Sequence, residues 1–470
     1  GDLTLSAMNT YSGGSTVNAG TLFGGAASRS NTTFGSGAIT VASGAKLWID
    51  QTEDGVMTNT LNLNGGTLQG TNGFGEYWDG NIVLGADSII NNYYNFIIDG
   101  VISGSYGFTK TQNGNLKLRA TNTYTGDTTI SSGTITVSGL LGNGSYAGDI
   151  SNSGTLVFNP SSSQTLSGVI SGSGDLTKSG SNTLLLSGTN TYTGDTTISA
   201  GTLAISSNNA LGTVDGGTTV ESGATLDFQN VTYSTAEAVT LNGGTIKAST
   251  GTSSFTGNIT LGADSTLNID GTQLTLSGVI SDGANDYDIE KTGSGILVLS
   301  GTNTFSGTTT ISGGTISIAA DAGLGAAPGS IVATQLTLNG GTLAATETFT
   351  LNANRGITLG SNHGTFNVAN TKTLTVAGIV AGSYNFTASG AGTLILTSAS
   401  TYSGTTSVSS GTTFKISGSG SLGSDSSDVY TYAGQITNAG TFIYASDATQ
   451  VLSGKVTGVG SLQKTTETST

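Results

Sequence analysis

The chain has 470 residues, of which 75 are Gly and 2 are Pro, with no Cys and only 9% charged residues. Its 28 acidic against 13 basic residues give a net charge of -15, and no basic cluster is present to meet phosphate, so a nucleic-acid partner is excluded. Gly without a three-residue period or abundant Pro excludes collagen, and recurrent short apolar runs within a 35% hydrophobic content exclude disorder.

Five related stretches follow one another along the chain. They are GDLTLSAMNTYSGGSTVNAGTL from Gly1, GNLKLRATNTYTGDTTISSGTI from Gly114 and NTLLLSGTNTYTGDTTISAGTL from Asn182. GILVLSGTNTFSGTTTISGGTI from Gly295 is the fourth, and the more divergent GTLILTSASTYSGTTSVSSGTTF from Gly392 the fifth. Their Asn positions are Asn9, Asn122, Asn190 and Asn303, with Ser400 in the fifth, giving steps of 113, 68, 113 and 97 residues. The repeat units are therefore drawn at 1–113 (long), 114–181 (short), 182–294 (long), 295–391 (long) and 392–470 (short). Between them recurs a second element: GVISGSYGFTK from Gly100, GVISGSGDLTK from Gly168, GVISDGANDYDIEK from Gly278 and GKVTGVGSLQK from Gly454.

A finer period runs through both elements. Small-then-aliphatic tokens, mostly G-T-L, place apolar residues from Leu3, Leu22 and Leu47 through Ile89, Leu203 and Ile296 to Phe442, at a mean step of 23 residues. That length suits one coil of a parallel β-helix with two or three short strands, each pairing with its equivalents about 4.8 Å above and below. The expected fold is all-β: one continuous solenoid over 1–470, of about twenty coils and roughly 95 Å. In strings such as TLTLS, alternate aliphatic residues point inward and Thr and Ser outward, while Gly and Asn turn the corners. The recurring Tyr11, Tyr124, Tyr192, Phe305 and Tyr402 are read as corner packing.

The NTYTGxTTIxxGTL string resembles the passenger-associated transport repeat of bacterial autotransporters. The five copies and the coils between them cover essentially the whole chain. The resemblance implies a right-handed β-helix secreted to the surface of a Gram-negative bacterium, with repeats that assist folding during export and adhesion placed in insertions.

No apolar run reaches the roughly 18 residues of a membrane helix, so this segment is not expected to span a membrane. Residues 452–464, LSGKVTGVGSLQK, match 166–178, where the next element is the motif with which the chain opens. A segment of a longer repetitive protein, or a subunit that stacks on itself end to end, is expected.

Chemistry-bearing residues are few. His363 is the one His, with Arg355 nearby, but paired Asp residues of the kind glycoside hydrolysis needs do not precede it, so it reads as a solvent-facing turn residue. No Cys nucleophile, G-x-S-x-G string or zinc cluster exists, and no cofactor is called for. Asp282, Asp286, Asp288 and Glu290 in SDGANDYDIE offer oxygen ligands for Ca²⁺, at a spacing that fits no known calcium loop; a solvated turn is the plainer reading. Phe74, Tyr77 and Trp78 in GFGEYWDG, with Tyr93, Tyr94 and Phe96, are not explained by the repeat. They form either a contact surface for sugar or protein, or a side loop packed on the rod.

The expected function is a non-catalytic extracellular stalk of a surface adhesin, contacting glycans or proteins of host or neighbouring cells. An extracellular filament built by end-to-end stacking is the alternative, and a tailspike-like polysaccharide-degrading enzyme the least favoured.

Overall fold

The structure is a computed structural model that describes residues 1–25, 33–50, 56–71, 76–283 and 285–466. The chain divides into two compact units, Gly1–Asp227 and Phe228–Thr470. Both are parallel β-solenoids, and the chain makes about 21 turns in all, in agreement with the coil count read from the sequence. Among the described residues strands pair in parallel, apart from a hairpin between Ser424–Ser426 and Val429–Tyr432 and an isolated bridge at Ala42 and Gly65.

In the first unit a nine-stranded ladder runs from Asp2–Leu5 to Ile170–Ser171, and a five-stranded ladder from Ser15–Val17 to Ile102–Gly104. A third begins at Val56–Met57. Successive strands of one coil enter different ladders, so each coil contributes one rung to each face. The second unit repeats the plan, with an eleven-stranded ladder from Thr232–Tyr233 to Val456–Thr457 and a six-stranded one from Phe349–Leu351 to Ser461–Lys464.

Alternation along each strand fixes what is buried. In the first unit Leu47, Leu68 and Ile90 lie in register in one column, and Trp78, Ile98, Leu118, Val137 and Phe158 in another. In the second, Phe386, Phe414 and Phe442 stack with ring centroids 5.4 Å apart. Thr109, Thr129, Ser151 and Ser171 are in register on the outward side.

Two tokens are displaced by one residue. Ile89 is exposed and pairs with Thr67 and Thr109, while Ile90 takes the inward place. Ile296 is exposed too, because Leu297 and Leu299 continue the column of Leu274 and Leu276. Both strings carry consecutive aliphatic residues, so alternation admits two registers and the neighbouring coils select one.

Leu203 is fully buried and in register with Leu184. Leu203→Asp is expected to place an uncompensated charge in the column and to cost about 3–5 kcal/mol. Circular dichroism melting checks this, and a midpoint equal to the parent's would show that the column is not packed as described.

Candidate functional site

The residues that define the repeat meet at one kind of place. Ile102–Gly104 ends the five-stranded ladder and Ile170–Ser171 ends the nine-stranded one; in the second unit Ile280–Ser281 and Val380–Ala381 likewise end ladders. Each is the strand of a G-V-I-S-type element; one coil after the first three lie residues 122–124, 190–192 and 303–305, which have no strand geometry. A ladder that stops leaves a buried N–H unpaired, at a cost of about 1–3 kcal/mol.

A side-chain amide takes over the missing rung. Ile102 N donates to Asn122 Oδ1 at 2.9 Å, Ile170 N to Asn190 Oδ1 at 2.8 Å, and Ile280 N to Asn303 Oδ1 at 2.9 Å. The same amides donate through Nδ2 to Leu140 O, Ala210 O and Gly323 O, at 3.2, 2.6 and 2.8 Å. The Ile carbonyl is satisfied by Thr123 N, Thr191 N and Thr304 N respectively. All three Asn are buried. Asn9 Nδ2 similarly donates to Thr33 O at 2.7 Å. Ser400, too short for both bonds, lies instead in a two-residue strand paired with Ser421–Leu422.

The aromatic residue two positions on is also structural. Tyr124, Tyr192, Phe305 and Tyr402 are buried, and each of the three hydroxyls bonds the Thr four residues later, at 2.9 Å for Thr128, 2.7 Å for Thr196 and 2.8 Å for Thr406. Tyr11 makes the same bond to Ser15 at 2.6 Å but is partly exposed. Tyr146 and Tyr432 add a second ring 5.4 and 5.5 Å away and share the Thr hydroxyl. Burial drives the Tyr124 and Tyr402 hydroxyls well above their ordinary range and Tyr146 up to about 12.

A third device was not foreseen. Lys110, Lys178 and Lys291 occupy inward places, in register with Ile90 and Ile130, Phe158 and Ile198, and Leu267 and Ile311. Each ammonium donates to three corner carbonyls: Thr111, Gln112 and Ser132; Ser179, Gly180 and Ala200 at 3.0, 2.8 and 3.0 Å; Thr292, Gly293 and Gly313 at 2.7, 3.0 and 3.2 Å. Burial pulls all three down to about 8, so at pH 7 they keep the three N–H donors this arrangement uses. In the fifth copy Ala388 stands there, and Thr412 Oγ1 donates to Gly390 O at 2.5 Å. The signal was the Lys that closes F-T-K, L-T-K and D-I-E-K.

The aromatic contact candidates separate. Phe74 lies outside the described residues. Trp78 is fully buried in the column of Ile98 and cannot offer a face to a partner, because its strand alternates that side chain inward. Phe96, on the neighbouring strand, is equally buried. Tyr77 points the other way, 6.0 Å from the Arg119 guanidinium, which pairs with Asp99 at 3.6 Å. Tyr93 and Tyr94 are about half exposed. Tyr106 is exposed as well, beside a depression of about 430 Å³ lined by Asp87 and Asp127. No string in the sequence marks Tyr106 as exposed, since the same G-S-Y string holds the exposed Tyr384 and the buried Tyr146.

His363 is exposed in a left-handed turn with φ 70° and accepts from Asn385 N at 3.2 Å through Nδ1. Arg355 is buried, pinning the turn at Asp321–Leu324 through Asp321 at 3.1 Å and Leu324 O at 3.0 Å. Among the described residues no three His, Cys, Asp or Glu side chains gather as metal ligands, and no helix is long and apolar enough to cross a membrane.

Two predictions follow from the corners. Asn190→Ala strands the Ile170 N–H and the Ala210 carbonyl, and is expected to cost about 2–4 kcal/mol in thermal or denaturant unfolding. An unchanged transition would remove the amide from its bridging role. Because folded tyrosines hold their protons more tightly than unfolded ones, their contribution is whole below pH 10 and is lost as pH rises from 10 through about 12. Melting midpoints should therefore fall across that window, with ultraviolet absorbance showing Tyr124 and Tyr402 ionising only on unfolding.

The passenger-associated-transport-repeat family matches residues 1–22, 108–137, 176–205, 289–318 and 386–413. The last four matches start six residues before Gly114, Asn182, Gly295 and Gly392, and so take in the inward Lys or Ala strand with the N-T-Y corner. The chain is also similar to the adhesin BmaC autotransporter of Brucella suis biovar 1 (strain 1330), 29% identical over 384 residues. That similarity covers 79% of this chain and 9% of the relative, so the chain spans a small part of that protein's length. No solved structure matches. The chain thus carries five passenger-associated transport repeats and is similar, over most of its length, to a stretch of an autotransporter adhesin.

Proposed function

We propose that this chain is an extracellular, non-catalytic β-solenoid stalk that displays contact surface away from a bacterial cell and contributes to adhesion. One observation carries the reading: the Asn and Lys side chains that recur with the repeat are consumed in coil-to-coil bonding. Asn122, Asn190 and Asn303 bridge coils, and Lys110, Lys178 and Lys291 cap corner carbonyls. These recurring side chains therefore build length. The similarity to a protein described as an adhesin supports surface attachment as the purpose of that length.

The variable exterior suits weak, repeated contact with polar partners. Outward Thr and Ser rows offer hydroxyls, and the exposed Tyr93, Tyr94 and Tyr106 offer flat faces on which a sugar ring or a protein side chain stacks. Asp87 and Asp127 beside Tyr106 supply acceptors for sugar hydroxyls.

The test is binding of the purified chain to an array of host glycans and extracellular-matrix proteins, beside a Tyr93→Ala/Tyr94→Ala/Tyr106→Ala variant. Retained binding by the parent and a roughly tenfold loss in the variant are expected, the loss amounting to about 1.4 kcal/mol. Equal binding by the two would remove these residues from the contact surface, and depolymerisation of an arrayed glycan would overturn the non-catalytic reading.

A further inference from the structure

The third G-V-I-S element departs from the others. Six residues separate Gly104 from Lys110 and Gly172 from Lys178, but nine separate Asp282 from Lys291. In the shorter copies the corner is a Gly, with φ 119° at Gly104 and 99° at Gly172, whose carbonyl accepts from Thr125 N or Thr193 N. A Cβ at Gly172 would lie 2.1 Å from Asn152 O, so a side chain is admitted only where the loop is rebuilt. In the third copy Asp282 stands at that corner, and Ser306 N donates to its Oδ2 at 2.8 Å in place of a carbonyl.

The rebuilt loop is rich in acceptors and short of protons. Ser306 Oγ lies 3.1 Å from Asp282 Oδ2, 2.9 Å from Asp286 Oδ1 and 2.8 Å from Asn285 O. A hydroxyl carries one proton, so two of these three oxygens, at least one of them a carboxylate's, face Ser306 Oγ without one. Asp282 is 2% exposed, and its Oδ1 has no hydrogen-bond partner among the described residues. A buried carboxylate oxygen without a donor is costly, and coordination to a cation offsets that cost. The other two acidic residues of the string are engaged elsewhere: Asp288 Oδ1 accepts from Thr308 N and Glu290 Oε1 from Ser312 Oγ, both at 2.6 Å.

We infer that Asp282, Asn285 O, Asp286 and Ser306 Oγ form a site for one Ca²⁺ ion that fastens the inserted loop to the next coil. The donors are all oxygen, which excludes the nitrogen and sulfur preferences of zinc, and a mixture of carboxylate, carbonyl and hydroxyl with water completing the shell is the chemistry Ca²⁺ accepts. Two carboxylates and a partly open rim place the affinity at about 0.1–1 mM, the range of extracellular calcium modules. The inference stands independently of any adhesive role.

Calorimetric titration of the 470-residue chain with CaCl₂ decides it. One saturable site in that range is expected, weakened at least tenfold in Asp282→Asn and in Asp286→Asn and unchanged in an Asp288→Asn/Glu290→Gln variant. Should Asp282→Asn fail to fold, Asp286→Asn still decides, because Asp286 is exposed. Absence of saturable heat up to about 10 mM Ca²⁺, well above the range for such modules, or equal affinity in Asp286→Asn, would overturn the site. Equal binding of Mg²⁺ would overturn its assignment to calcium.

Discussion

A parallel ladder passes every backbone N–H and C=O to the coil above or below, and the fold depends on what happens where that transfer stops. Gly, Thr and Leu are enough to build identical coils. They do not suffice where a face ends, because the last strand then holds buried donors that water cannot reach. Here the amide of one Asn side chain replaces a peptide group. It accepts from the last strand, as Asn190 does from Ile170 N, and donates onward, as Asn190 does to Ala210 O. The aromatic residue beside it fills the wider corner, with its hydroxyl turned to Thr196. Lys178 performs the matching task for carbonyls, with three donors directed at three corner oxygens.

Much of this was legible in the sequence, and what was not has physical reasons. The coil period and the inward columns follow from spacing, since a one-residue slip would turn every aliphatic side chain outward. The exceptions, Ile89 and Ile296, sit in runs where consecutive aliphatic residues satisfy two registers, and only the neighbouring coils discriminate. The corner role of Tyr124 and Tyr192 was readable from recurrence. The bridging role of Asn122 was not, because its partners lie 20 and 18 residues away on different coils. Lys291 was hidden by its charge, which argues for the surface until three carbonyls are seen around it. Trp78 shows the reverse error: an aromatic in an acidic, Gly-rich string invites a functional reading, yet its strand points it inward at full burial.

The division of labour has a consequence for function. Bonds that recur from repeat to repeat are internal, so the outer face and the corner loops are free to differ between copies without weakening the stack. Departures from the repeat are then the informative places. The exposed Tyr93 and Tyr94 and the rebuilt loop at Asp282 are such departures, one apolar and one acidic, in different units.

Side-chain amides close the ends of the ladders at Ile102, Ile170 and Ile280 as firmly as strands would. Hydrogen exchange of the folded chain, followed by mass spectrometry, measures this directly. The amides of Ile102, Ile170 and Ile280 are expected to exchange as slowly as those of mid-ladder strands such as Thr183–Leu186. Fast exchange at these three positions, like that of a frayed sheet edge, would contradict it.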